Sequence, residues 1–290
     1  ELRNVIGALG RLHEHVASFS DVLPSLVAAT LHKVPLFDAR DVANTLWGIA
    51  KVHEDAPEML ALVAPVAQRT LQILPSIGAR EAVSALWAVA KIRKVASDDL
   101  FVLAEPLARR FAERASEATP QGVSNVVWAA GVLRLDGDAA QTLIAAAMPV
   151  AHREVDRMTP QNVAHICAGL ALLGVPDEAW MRVVSDQVSR GAHKWSDKQL
   201  CMSLPQMAWA YARLGVQSTE IVEATAKRVG PLLGETVDWT VLALSGSLRE
   251  VGAGDQHDDF LRRLDRERAK RGLRAEDVEL AMRVEPGEWQ

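Results

Sequence analysis

The residues best placed for chemistry recur at a fixed interval. Three positions before the anchors Gly7, Trp47, Trp87, Trp128, Ala168 and Trp209 stand Asn4, Asn44, Ser84, Asn125, His165 and Gln206. These side chains can donate and accept hydrogen bonds, which is what reading the edge of an unstacked RNA base requires. A recurring Asn beside a turn serves a scaffold equally well, by satisfying a neighbouring backbone group. Four positions after the anchors, Arg11, Lys51, Lys91 and Arg213 supply cations, with Val132 and Leu172 interrupting the series. A basic residue near a helix C-terminus also complements the helix dipole. A third series, Arg69, Arg110, Arg153, Arg190 and Arg228, sets roughly one arginine in each interval. One cation per interval matches one phosphate per unit on a strand followed nucleotide by nucleotide. Dipole complementation and solubility are the competing roles for this series.

No enzyme signature accompanies these rows. The Gly-x-Ser-x-Gly elbow, the Walker A loop, His-Glu-x-x-His and the dinucleotide fingerprint are all missing from the sequence. His13-Glu14-His15 are adjacent on a helix and do not face one point. Asp255, His257, Asp258 and Asp259 read as a loop leading into a helix, and Asp136-Gly137-Asp138 as a turn without the remaining calcium ligands. The expectation is a protein with no catalytic residue, metal, cofactor or small-molecule substrate.

Composition narrows the class. The 290 residues are 49% hydrophobic with a mean hydropathy of +0.04, enough apolar content for a core and too much for a wholly disordered chain. With 37 acidic and 32 basic residues the formal charge is −5, which argues against a strongly basic nucleic-acid binder and leaves room for a local basic stripe. Two cysteines, Cys167 and Cys201, are too few for a disulfide framework or a cysteine-based structural zinc site. The longest apolar run, 166–175, is far short of the roughly 18 to 20 residues a membrane helix needs, so no membrane insertion is expected. The chain starts at Glu1 without an initiator Met or a signal-like segment, as a mature form or a fragment would.

The elements that position these rows follow from self-similarity. VANTLWGIAKV (42–52), AVSALWAVAKI (82–92), VSNVVWAAGVL (123–133) and LPQMAWAYARL (204–214) align without gaps. Segments 4–12, 163–173 and 242–251 fit the same frame with Gly7, Ala168 and Gly246 as anchors, giving intervals of 40, 40, 41, 40, 41 and 37. Apolar residues inside each copy keep helical spacing, and no window alternates as a strand would. Each copy therefore predicts a first helix, a turn, and a second helix, with Ser97, Asp138 and Ser218 as N-caps of second helices. Pro65, Pro106 and Pro149 occupy equivalent places in successive second helices, where a proline either bends the helix or opens it at its first turn. Gly48, Ala88, Ala129, Gly169 and Ala210 follow the anchors directly, so one side of the first helix is small. It accepts either a close-packed neighbouring helix or a ligand backbone.

A helix pair of about 40 residues cannot bury its own apolar face, and stacked pairs can. The expected fold is all-α: an α-solenoid of about seven helix-turn-helix repeats over residues 1–254. A charged helix and tail over 255–290 would cap it.

The segments TPQGVSNVVWAAGVLRL (119–135), TPQNVAHICAGLALLGV (159–175) and ARDVANTLWGIAKV (39–52) resemble octotricopeptide and related heptatricopeptide repeats. Those read approximately as Pro-Gln, an apolar residue, Asn, then Trp-Ala-x-Ala-x-Leu-Gly. Pro120, Gln121, Asn125, Trp128 and Ala129 match, as do Pro160 and Gln161, Asn44 and Trp47, and Trp209, Ala210, Ala212, Leu214 and Gly215. The resemblance covers most of 1–252. It implies an α-solenoid that binds single-stranded RNA in a mitochondrion or chloroplast, for RNA maturation, stability, translation or ribosome assembly. The sequence departs from that pattern in its longer period, in the missing Trp at Gly7, Ala168 and Gly246, in Pro205 inside a first helix, and in the lack of the C-terminal RAP domain often found with such repeats. A protein-binding or structural solenoid within a larger organellar assembly is the alternative; it predicts Trp180, Trp195 or Trp289 at an interface.

Overall fold

Apolar residues three and four positions apart are taken up by helices throughout the described residues, 21–95, 98–191 and 195–283 of the computed structural model, and no strand occurs among them. Asn4, Gly7, Arg11, His13 to His15, Ser97 and Trp289 lie outside those residues. The chain divides into two compact units, residues 1–151 and 152–290. In the first, α1 (Leu23–Leu31), α2 (Ala39–Val52), α3 (Val63–Gln72), α4 (Ala79–Ile92), α5 (Ala104–Ala112), α6 (Pro120–Val132) and α7 (Gly137–Glu154) follow one another, the division falling in the last turn of α7. The second holds α8 (Pro160–Leu173), α9 (Glu178–Gly191), α10 (Asp197–Arg213), α11 (Thr219–Arg228), α12 (Asp238–Val251), α13 (Asp258–Lys270) and α14 (Ala275–Arg283).

The helices pack as neighbouring pairs, and alternate helices lie side by side. In unit 1, α2 packs on α4 and α4 on α6, while α2 and α4 each also pack on the shorter helix that follows. In unit 2, α8, α10, α12 and α14 form the corresponding row, with α11 and α13 against α10 and α12. The cores are aliphatic and built from the repeat: Val42, Leu46 and Ile49 of α2, Leu86 and Val89 of α4, and Val123 and Val127 of α6 have no exposed surface.

Polar side chains fix where each helix starts. Asp38 and Asp41 form a capping box at α2, Thr159 and Asn162 at α8, and Ser196 and Gln199 at α10. Ser218 caps α11 as expected, accepting from the Ile221 amide. Asp138 does not cap: it lies inside the first turn of α7 and pairs with Arg109 at 2.6 Å. Pro65 and Pro106 sit in the first turns of α3 and α5, each after a 3-10 run, whereas Pro149 lies inside α7. Two of the three prolines thus open a helix. The C-terminal segment differs from the single charged helix the sequence led us to expect: α13 and α14 are separate, broken at Gly272, whose φ of +68° suits glycine.

Candidate nucleic-acid interface

Helices α2 and α4 are each open to solvent along one narrow stripe. From Asp41 to Val52 only Asn44, Trp47 and Lys51 escape full burial, and from Ala82 to Ile92 only Ser84, Trp87 and Lys91. Steps of three and four residues put each set on one helix face, and one more turn back the stripe continues into exposed Arg40 and Arg80. Those two arginines, seven positions before Trp47 and Trp87, belong to the stripe although they stand outside the three series of the sequence; their signal is the shared spacing of seven. On α6 the same face carries Gln121, Asn125, Trp128 and Val132, with Asn125 half-buried and Trp128 and Val132 buried. Of the twelve side chains at these positions on α2, α4 and α6, four are cationic and none is acidic. This is a basic stripe in a chain of net charge −5.

The stripe is also a ladder of alternating rings and cations. Lys51 Nζ stands 5.9 Å from the Trp47 ring centre and 5.4 Å from that of Trp87. Lys91 Nζ repeats the arrangement, 5.9 Å from Trp87 and 5.4 Å from Trp128. Each ammonium thus joins the rings of two neighbouring helices, a contact of about 0.5–1 kcal/mol at an exposed site. These groups hold neighbouring helices together, and their chemistry is also of a kind that can meet nucleic acid: half-buried indoles can stack with bases and exposed ammonium groups can pair with phosphates. Asn44, Ser84 and Asn125 line the stripe one turn away, half-buried beside the rings.

The small side chains after the anchors do not floor this stripe. Ala88, Ala129 and Ala210 have no exposed surface, and Gly48 and Gly169 are buried, so they are the close-packing side of their helices.

Unit 2 carries the same register with a different chemistry. His165 is half-buried on α8 and Gln206 is buried on α10. Arg213 lies over the Trp209 ring at 5.5 Å, as the lysines lie over theirs, but its guanidinium is tied to backbone. Nε donates to Ala171 O at 3.2 Å and an Nη to Met282 O at 3.3 Å, ending α8 and α14 together.

Three of the five second-helix arginines, Arg69, Arg110 and Arg228, are staples. Arg69 Nε donates to Phe37 O at 2.9 Å, and Arg110 donates to Ile77 O at 2.7 Å and Pro75 O at 2.6 Å. Arg228 reaches Trp195 O at 3.0 Å and Asp197 at 2.6 Å. Phe37, Ile77 and Trp195 each stand just before the N-cap of a first helix, so each staple fastens a second helix to the turn that begins its own pair. The register is set by a buried residue three positions earlier: Val66, Leu107, Val150, Val184, Thr225 and Phe260 precede Arg69, Arg110, Arg153, Gln187, Arg228 and Arg263. Gln187 donates to Val155 O at 2.8 Å and Arg263 to Gly230 O at 2.6 Å in the same way. Arg190, one turn beyond Gln187, is therefore off this register and pairs with Asp186 at 3.3 Å. Arg153 is in register but pairs with its neighbour Glu154, whose carboxyl Arg153 and Arg157 hold below its ordinary pKa.

On the second-helix side of unit 1, Leu74, Pro75, Phe101, Val102 and Pro106 line a groove of about 650 Å³ together with the charged Glu105, Arg109, Arg110 and Glu113, with Phe101 37% and Val102 55% exposed. Trp180 is fully buried within unit 2 and Trp195 is half-buried. Among the described residues no three His, Cys, Asp or Glu side chains gather as a metal site, and no helix is long and apolar enough to cross a membrane. A scan against protein-family models finds no match for this chain, and a search of curated proteins finds no similar sequence, so the geometry of the stripe carries the functional reading.

Proposed function

We propose that this protein is a non-catalytic α-solenoid of about seven helix-pair repeats, of the octotricopeptide-like kind, that binds single-stranded RNA of a mitochondrion or chloroplast. The observation that carries the reading is the stripe of α2 and α4: Arg40, Lys51, Arg80 and Lys91, with no acidic residue among them, interleaved with the half-buried indoles of Trp47 and Trp87. Cations spaced by stacking platforms suit a flexible polyanion whose bases are unstacked. Asn44 and Asn125 offer an amide and Ser84 a hydroxyl at one shared position, groups able to hydrogen-bond base edges. Arg69, Arg110 and Arg228 act in this reading as scaffold.

A pool of randomised single-stranded RNA, retained at two salt concentrations and sequenced, tests the proposal. Retention that weakens with salt, and that the double substitution Lys51→Gln/Lys91→Gln reduces, supports it. No retention at low salt sinks direct RNA recognition. The groove at Phe101 and Val102, which mixes apolar and charged side chains, favours a second reading, a protein-binding subunit of a larger organellar assembly; that reading predicts a defined protein neighbour and no salt-dependent RNA affinity.

A further inference from the structure

The staple register leaves one arginine of unit 2 without the acceptor that its counterparts have. Three positions after Arg69 stands Gln72, whose side-chain oxygen accepts from Arg69 at 3.3 Å, and three after Arg110 stands Glu113, paired with it at 2.6 Å. Arg228 reaches the Asp197 carboxylate instead, at 2.6 Å. Arg263 of α13 keeps the register and the bond to a turn carbonyl, Gly230 O at 2.6 Å, but the residue three positions after it is Arg266. Like charges one turn apart on a helix oppose each other. Arg266 bonds the Arg262 carbonyl at 3.3 Å, and among the described residues neither Arg263 nor Arg266 has a carboxylate partner.

Both arginines line an open concavity of about 310 Å³, which α13 forms with the 3-10 turn Gly230–Glu235. Lys270, one turn beyond Arg266, lines it as well. Glu267 is the one acid among the lining residues and is held by Arg271 at 2.9 Å and Lys270 at 3.8 Å. Three cations and one acid give this lining a formal charge of +2 in a chain of −5. The groove of unit 1 has the same place in the repeat, α5 against the turn at Leu74 and Pro75, and there two arginines meet two glutamates. The turn side of the unit 2 concavity includes Gly234, where a Cβ would meet nothing within 4 Å and φ is not left-handed. Neither packing nor conformation requires glycine at that place, and a bare backbone there admits close approach by a ligand.

We propose that this concavity binds a phosphate dianion, as the free ion or as the end of a phosphate monoester, between Arg263, Arg266 and Lys270. The ligand takes the place of the acid that Glu113 supplies beside Arg110. A lining charge of +2 matches a dianion, and guanidinium forks suit its several oxygens. The site stands apart from the RNA reading, because none of its residues belongs to the stripe of α2 and α4.

The test is titration calorimetry of the full chain at constant ionic strength and about pH 7.5, where a monoester is a dianion. The probes are inorganic phosphate, uridine 5′-monophosphate, uridine, and oligouridine with hydroxyl ends. Saturable binding of phosphate and the monophosphate, with none of uridine, is expected; saturation by the monophosphate alone narrows the ligand to a monoester. Arg266→Glu restores the acid of unit 1 and should weaken that binding by about tenfold or more, the value of one charge-assisted hydrogen bond. Lys270→Gln, a second change on the same wall, should weaken it as well. Arg262→Glu makes the same charge change outside the lining, where salt screens it, and should leave affinity within about twofold. Urea unfolding without phosphate checks that each variant is folded. No saturable binding of either phosphate probe, or equal weakening by Arg266→Glu and Arg262→Glu, overturns the site. Oligouridine binding that falls with Arg266→Glu as much as phosphate binding does overturns the dianion in favour of an RNA backbone. Oligouridine binding that this variant leaves unchanged keeps the site and the stripe separate.

Discussion

Replacing Arg110 by alanine separates the scaffold from the binding face. Its side chain is 17% exposed and makes two hydrogen bonds to carbonyls, 2.7 Å to Ile77 O and 2.6 Å to Pro75 O, together with an ion pair to Glu113. The ion pair is with an exposed carboxylate and contributes little. Each hydrogen bond from a charged donor contributes about 1.5–3 kcal/mol, and because the freed carbonyls lie near the surface and regain water, the pair is worth about 2–3 kcal/mol. At about 2–4 °C per kcal/mol for a unit of this size, unfolding of unit 1 shifts down by roughly 5–10 °C. Calorimetry and urea unfolding of Arg110→Ala beside Arg190→Ala make the measurement. Arg190 is 79% exposed and, among the described residues, pairs with Asp186 of its own helix, so its loss should shift the transition by less than about 1 °C. Arg110→Lys keeps the charge but not the fork that bridges two carbonyls, and should recover less than half of the loss. A midpoint for Arg110→Ala within about 1 °C of the unsubstituted protein would refute the staple as a source of stability.

Other outcomes follow from the same geometry. Arg134 ends α6 at φ 50°, where Gly174, Gly215 and Gly252 end α8, α10 and α12 in the left-handed region, so Arg134→Gly should stabilise the protein by about 1 kcal/mol in urea unfolding. Lys51→Gln/Lys91→Gln should flatten the salt dependence of RNA binding by about 1.4 in log–log slope, at roughly 0.7 per phosphate contact, while Arg69→Gln leaves the slope unchanged. Burial pushes the Cys167 thiol up to about 12, partly opposed by the Trp180 indole. The folded state then keeps a proton that the unfolded chain releases above about pH 8.5, so stability falls from there toward pH 12 by about 1.4 kcal/mol per unit from this group. Burial also raises the phenol of Tyr211, which adds to the fall above about pH 10. Cys167→Ala should remove the portion between about pH 8.5 and 10; an unchanged pH profile in that variant would contradict the assignment.

The sequence makes the helices legible because their burial is nearly complete. Nine of the twelve residues from Asp41 to Val52 are buried, so the apolar pattern of α2 shows wherever the chain repeats it. The first-helix stripe was legible for the same reason, through Asn44, Trp47 and Lys51 standing out against that pattern. What escaped were interactions whose partners carry no sequence identity. The arginines Arg69, Arg110 and Arg228 bond to main-chain carbonyls 32 or 33 residues earlier, and any residue supplies a carbonyl. Their regular spacing therefore looked the same whether they held the scaffold or met a ligand. Arg190 entered that series because Gln187, the residue in register, is not basic. The break between α13 and α14 was hidden by charge: Gly272 sits among Arg271, Arg274 and acids at helical intervals, and only the left-handed backbone at Gly272 and the Asp277 bond to the Arg274 amide mark a new start.

The spacing of the staples has a consequence for how the chain is made. Each one closes a loop of 32 or 33 residues, lies wholly within one helix pair, and needs nothing from the pair that follows. Closing loops of this one modest length costs nearly the same entropy at every step, with no long-range pairing to wait for. As the polypeptide leaves the ribosome, a pair can lock its own turn once its second helix has emerged, and offer a finished surface to the pair still being synthesised. The same bond that steadies the mature protein thus gives translation a natural unit in the five pairs that carry it, those of Arg69, Arg110, Gln187, Arg228 and Arg263.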